Sequence, residues 1–301
     1  QTLCETELEM KAVKSVESQK ATDNEFPLLL RPVSEWNIFE LVDRPGLLFV
    51  ENPWTEAGVR YWVCRSLLQL TQAPSKLNID GPLSSSWWEE AQRCLPHDKG
   101  AMLRRLRWAT FGYHHDWHTK EYSEQNKCPF PGDVAAVCRY VAEAVGGWSE
   151  FAAQAAILNF YHADSTLSGH CDRSEPNMQA PLLSFSFGQS AIFLAGGRTL
   201  DEKPSAVFID NGDVMIMSAA SRHVYHAVPR IVTSRWSPAA VGGCGTQLQL
   251  CSTNASLDEG LLRQMTSDDV TFWRPFADYV AQSRINMNVR QVLAAGQTSL
   301  S

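Results

Sequence analysis

Two side chains able to hold a metal stand two residues apart in Gly169-His170-Cys171-Asp172-Arg173, within an apolar, strand-like neighbourhood. On a strand, residues i and i+2 share a face, so His170 and Asp172 can converge on one point. A third donor lies downstream, where the apolar run Val214-Met215-Ile216-Met217 leads towards Ser221-Arg222-His223-Val224-Tyr225-His226-Ala227-Val228-Pro229. His223 and His226 are an odd number of residues apart, so on a strand they face opposite ways. His226, at the inner end of the run, is the candidate ligand, and His223 is expected at the surface. Two histidines and one carboxylate form a facial triad with coordination positions left open, the ligand set of non-haem Fe(II) oxygen chemistry.

The H-x-D pair alone is weak evidence, because the chain holds a second one, His114-His115-Asp116. That copy sits among arginines and tryptophans with no buried-strand pattern to aim both side chains inward. The taller claim for His170 and Asp172 rests on what accompanies them. Arg284, Asn286, Asn288 and Arg290 alternate with Ile285, Met287 and Val289, so one face of this last strand is polar and cationic. A solvated edge strand explains that pattern cheaply. A barrel interior that binds a dicarboxylic acid needs the same groups, since a guanidinium fork takes a carboxylate bidentately. Asn159 and Tyr161 likewise share a strand face and could donate hydrogen bonds to the same anion.

The elements that must position these residues are legible as a change of pattern. Residues 1–30 are rich in Glu, Lys, Ser and Thr without hydrophobic period and read as a disordered N-terminal arm. Residues 31–150 read as a helical and short-strand extension: a strand at Gly46 to Val50, then helices over Glu56 to Leu70, around Trp87 and Trp88, around Met102 to Leu106, and over Asp133 to Val145. Residues 151–295 form the core, with short runs near 156–161, 167–172, 181–187, 190–195, 205–210, 213–218 and 222–228, as in an all-β barrel or sandwich. Ser237 to Ser256 reads as a long loop, followed by a helix through Trp273 to Val280 and a closing strand from Arg284 to Val292. A net charge of −7 argues against a generally basic nucleic-acid binder and leaves only a local basic surface. Eight cysteines without a C-x-x-C pair suggest free thiols in a reducing, intracellular setting. Nucleus, mitochondrion and cytoplasm all stay open, because the chain begins with Gln1 and an address can lie upstream.

Taken in order, Asn-x-Tyr, His-x-Asp, a distal His and Arg-x5-Arg resemble the AlkB-type Fe(II)- and 2-oxoglutarate-dependent dioxygenases. The segments His170-Cys171-Asp172-Arg173-Ser174-Glu175, Pro181 to Leu194, Gly212 to Ser218, His226 to Arg230 and Arg284 to Val292 extend the likeness to the animal branch of that family. The resemblance spans roughly Pro32 to Val292 and implies a mainly β fold with flanking helices, a double-stranded β-helix or jelly-roll. It implies Fe(II) on His170, Asp172 and His226, with 2-oxoglutarate as co-substrate and O2 as oxidant. It further implies that Asn159, Tyr161 and Arg284 contact 2-oxoglutarate, and that Arg290 lines the co-substrate and substrate side. His162 stands where the branch has an arginine, which bears on substrate preference.

The substrates that the resemblance implies are methylated nucleobases in tRNA (1-methyladenine, 5-methylcytosine) or DNA (N6-methyladenine), unpaired or flipped so that the base reaches the metal. The basic and aromatic stretch from Arg104 to His118 has its family counterpart at the substrate opening. Tyr113, His114, His115, Asp116, Tyr122 and Trp88 are therefore the substrate-binding candidates, against a competing reading of Trp88, Trp108 and Trp117 as packing aromatics. Two rivals remain: a dioxygenase acting on a protein such as a histone, and a non-catalytic nucleic-acid-binding module. The second would be expected to have lost a ligand or an arginine, and none is lost.

Overall fold

The short runs after residue 150 fold as two facing antiparallel sheets, and the computed structural model describes residues 10–12, 27–79, 81, 83–234, 256–266 and 270–300. Five strands precede the core: β1 (Met10–Ala12), β2 (Asn37–Leu41), β3 (Leu47–Glu51), β4 (Lys76–Leu77) and β5 (Trp108–Gly112). The core supplies β6 (Ala155–His162), β7 (Leu167–His170), β8 (Leu182–Gly188), β9 (Ser190–Ala195), β10 (Ser205–Ile209), β11 (Val214–Met217), β12 (His226–Val232) and β13 (Ser283–Arg290). The large sheet runs β1-β2-β3-β11-β8-β13-β6-β5-β4, and the small one β10-β9-β12-β7. Among the described residues six helices flank them: α1 (Glu56–Leu68), α2 (Trp87–Arg93), α3 (Pro96–Arg105), α4 (Gly132–Gly146), α5 (Glu259–Thr266) and α6 (Val270–Val280). Among the described residues no helix is long and apolar enough to cross a membrane.

Strand β13 shows how the sequence pattern becomes a wall. Ile285, Met287 and Val289 are buried in one core with Trp62 of α1, Val137 of α4 and Phe276 of α6. Each such side chain contributes about 1.5–3 kcal/mol. Because successive residues point to opposite faces, Arg284, Asn286 and Asn288 are thereby committed to the space between the sheets. The solvated-edge explanation fails here, since β13 is hydrogen-bonded on both sides, to β6 and to β8. The turn from β8 to β9 brings the chains together at Gly188, where φ is +84° and a Cβ would stand 2.4 Å from Ser283 O. Only glycine takes that position without strain.

Several expectations change. Leu28, Leu29 and Leu30 are buried against α1, with Leu29 O accepting from both the amide and the hydroxyl of Thr55 at 3.0 Å. Met10–Ala12 pairs with β2. The disordered reading of residues 1–30 therefore gives way at those two places, where backbone pairing and burial hold the chain; the rest of that arm lies outside the described residues. Trp108–Gly112, within the basic and aromatic stretch from Arg104 to His118, is a strand paired with β6. The run at 222–228 is split, with a 3-10 turn at Ala219–His223 before β12. α5 was not foreseen, and the long loop at 237–256 lies outside the described residues except for Ser256.

Candidate metal and co-substrate site

β7 ends at His170 and β12 begins at His226, and the antiparallel register sets these two residues directly opposite one another. Their ring centroids are 4.3 Å apart. Asp172 lies two residues past the end of β7, so its place is not set by a strand ladder, contrary to the expectation that it shares a strand face with His170. Its Oδ1 nevertheless stands 3.9 Å from His170 Nε2. One donor atom from each of His170, Asp172 and His226 lies within 4.8 Å of the others, and among the described residues this is the only such group. His223 is on the 3-10 turn, which removes it from the strand altogether.

The donor set suits a divalent metal on its own chemistry. His170 Nδ1 is 2.9 Å from Ser168 O and His226 Nδ1 is 3.3 Å from Val224 O. A carbonyl only accepts, so each Nδ1 carries the proton and each Nε2 keeps its lone pair for a ligand. Burial pushes His226 down to about 4, against the opposing pull of Asp172, which keeps the ring neutral. Burial alone would raise the Asp172 carboxyl, yet the Arg290 guanidinium and both imidazoles hold it well below the usual carboxylate range. Arg290 Nη2 takes Asp172 Oδ2 at 2.7 Å, so one carboxylate oxygen is occupied and the other faces the histidines.

The cavity that reaches this cluster lies between the sheets and is also lined by Tyr161, Arg284, Asn286 and Asn288, with Leu182, Phe193, Met215 and Met217 as apolar walls. Arg284 is 3% exposed. Its Nη1 donates to Gln189 O (3.1 Å) and Ile209 O (3.2 Å), and its Nη2 donates to Ser186 Oγ at 2.7 Å. Among the described residues it has no carboxylate within ion-pair distance, and burial pulls it down to about 10. Three of its five N–H groups are used. A buried cation held only by neutral oxygens, with two donors left, fits the distal carboxylate of a dicarboxylic acid. Tyr161, pushed up to about 12 by burial, stays a neutral donor. Asn159 lies in register between Asn286 and Trp108, on the cavity face of β6 but beyond the residues that line the cavity.

The substrate candidates divide. Tyr122 Oη donates to Glu175 Oε1 at 3.1 Å, and His115 Nε2 is 2.9 Å from Ser174 Oγ, so both reach the loop that carries Asp172. His115 also packs edge-on against Trp117, with centroids 4.7 Å apart. The other four are engaged in packing or turns. Trp88 is 4% exposed and stacked on Phe276 at 5.0 Å, beside a different groove. His114 is buried against Thr110 Oγ1 at 2.8 Å. Asp116 caps the turn at His118 and Thr119, and Tyr113 is buried with its hydroxyl on Glu124. Arg290, expected to line the co-substrate side, is directed to Asp172 and to Glu175, 2.9 Å from its Nε. Glu175 and Arg222 were not singled out from the sequence. The signal was present, since Glu175 ends the His-Cys-Asp-Arg-Ser-Glu segment and Arg222 opens the run that contains His226.

The 2OG-Fe(II) oxygenase superfamily model matches residues 70–290. The chain is similar to the mouse protein named nucleic acid dioxygenase ALKBH1, at 41% identity over 278 residues, covering 89% of this chain and 69% of that one. The human protein of the same name is 40% identical over 292 residues, covering 93% and 72%. The Schizosaccharomyces pombe protein named tRNA demethylase abh1 is 35% identical over 277 residues, covering 85% and 82%.

Proposed function

Because the chain belongs to the 2OG-Fe(II) oxygenase superfamily, we propose that it is an oxidative demethylase of nucleic acid that acts on a methylated nucleobase presented unpaired or flipped. The observation that carries this reading is the single cavity lined by both the His170, Asp172 and His226 cluster and a buried arginine with no acid partner among the described residues. Iron(II) held there, with 2-oxoglutarate and O2, supplies oxidation of a substrate C–H bond coupled to decarboxylation of the co-substrate to succinate. His170, Asp172 and His226 hold the metal. Arg284 seats the distal carboxylate, and Tyr161 donates a hydrogen bond to the same anion. Leu182, Phe193, Met215 and Met217 keep water from the reacting atoms. His115 and Tyr122, on the wall next to the Asp172 loop, meet the base. Hydroxylation of an N-methyl group gives a hemiaminal that sheds formaldehyde and leaves the demethylated base.

Of the substrates, 1-methyladenine and 5-methylcytosine in tRNA come first and N6-methyladenine in DNA second. A net charge of −7 favours a structured, locally contacted RNA over broad coating of duplex DNA. The test measures succinate and formaldehyde from iron-loaded protein with a 1-methyladenine tRNA stem-loop, and with N6-methyladenine DNA in bulged and duplex forms. Formaldehyde with the stem-loop, less with the bulge and least with the duplex is expected. Turnover of a methylated histone peptide with none on any nucleic acid would overturn the proposal.

A further inference from the structure

Asp172 is the one member of the ligand cluster that no strand holds, yet it is gripped from two sides. Arg222 is 2% exposed and lies on the 3-10 turn four residues before His226. Its Nη1 donates to the main-chain carbonyl of Asp172 at 3.1 Å, and its Nη2 donates to Glu175 Oε2 at 2.7 Å. The opposite oxygen of Glu175 receives Tyr122 Oη at 3.1 Å and ion-pairs with Arg290 Nε at 2.9 Å, and Arg290 Nη2 completes the circuit on Asp172 Oδ2. Two carboxylates and two guanidiniums thus balance one another, with Arg222, Glu175 and Arg290 buried and Asp172 part-buried at the cavity.

The turn that carries Arg222 is itself anchored. Ser221 Oγ donates to Arg44 O (3.2 Å) and Pro45 O (2.9 Å), while Tyr225 N donates to Gly197 O at 2.8 Å and Tyr225 O accepts from Gly196 N at 2.8 Å. Arg222 therefore ties a fixed turn, which delivers His226, to an irregular loop, which delivers Asp172. We propose that Arg222 is a positioning residue of the metal site: by clamping the Asp172 loop to the His226 turn through Glu175, it sets the separation of the second and third ligands. It touches neither metal nor substrate. The inference rests on reading His170, Asp172 and His226 as metal ligands, and it adds a residue on which their geometry depends.

Removing Arg222 alone leaves Glu175 short of one buried partner, so the test uses Arg222→Met with Glu175→Gln, which removes one charge of each sign, beside the conservative Arg222→Lys. A lysine has one ammonium to offer two acceptors 50 and 47 residues away in the chain. Each protein is titrated anaerobically with Co(II), following the visible d–d absorption, and the metal-free forms are compared by circular dichroism and thermal unfolding. Partners that orient metal ligands without binding the metal are worth about 10–100-fold in affinity. The expected result is a Co(II) affinity weakened by about that factor in the double variant, and less in Arg222→Lys, with an altered absorption envelope. Wild-type affinity and spectrum in either folded variant would overturn the clamp, as would a lowered unfolding temperature without any change in the Co(II) spectrum. Failure of the wild-type protein itself to bind Co(II) would overturn the metal reading instead, so the two failures are distinct.

Discussion

Replacing Arg284 with methionine is expected to remove tight 2-oxoglutarate binding while leaving the protein folded. After bonding Gln189 O, Ile209 O and Ser186 Oγ, the guanidinium keeps its Nε–H and one Nη2–H for a ligand. Two hydrogen bonds to a charged group are worth about 1.5–3 kcal/mol each, so the loss is about 3–6 kcal/mol. Truncating one partner of a buried charge pair costs about 3–5 kcal/mol, in agreement. At about 1.4 kcal/mol per tenfold, Kd rises roughly 10²–10⁴-fold. The ligand-free fold loses three hydrogen bonds but also sheds a cation that burial has pulled down to about 10, and these effects oppose each other. The assay is anaerobic titration of Mn(II)-loaded protein with 2-oxoglutarate and, in parallel, with 2-oxobutanoate, which lacks the distal carboxylate. The wild-type protein should strongly prefer the dicarboxylic acid and the variant should not. An unchanged Kd for 2-oxoglutarate, or an equal loss for both acids, would refute the reasoning.

Other consequences follow from the same geometry. His226→Ala should abolish Co(II) binding and turnover whereas His223→Ala retains both; the reverse pattern would show that His223 is the ligand. Asp172→Ala should lose metal binding with a native circular dichroism spectrum, because Arg290 keeps Glu175 as a partner 2.9 Å away; wild-type turnover would exclude the ligand assignment. Burial holds His114 down at about 4, so the unfolded chain takes up a proton near pH 6.5 that the folded site refuses. Stability contributed by the neutral ring is thus present above pH 6.5 and is lost as pH falls towards 4, on the order of 2–3 kcal/mol. Urea unfolding at pH 7.5 and pH 5 should show this loss, and His114→Leu should lack it. Met287→Ala, on the helix side of β13, should cost about 2–5 kcal/mol of stability with 2-oxoglutarate affinity unchanged; a matching loss of affinity would mean that the two faces of the strand are coupled.

The period-2 alternation from Arg284 to Arg290 was legible in the sequence, as were most strands of the core and the helix over 132–146. Each is a pattern among near neighbours in the chain, where steric alternation and the apolar stripe act locally. Whether the polar face of β13 looked into water or into a cavity was not legible, because it depends on β6 and β8 pairing on either side across about a hundred residues. Trp108–Gly112 escaped notice for a related reason: its two aromatics, Trp108 and Phe111, do not alternate, and only its pairing with β6 makes it a strand. The residue types of the metal cluster were evident, but their support was not. A strand argument separates His226 from His223, but the 3-10 turn at Ala219–His223 takes its place, and the strand expected to carry Asp172 ends two residues before it. The sequence by itself determined which side chains could hold a metal and an anion. Only the tertiary structure decided how they converge, because a buried carboxylate takes its position from the charges that the fold brings to it, and those charges, Arg222 and Arg290, come from distant parts of the chain.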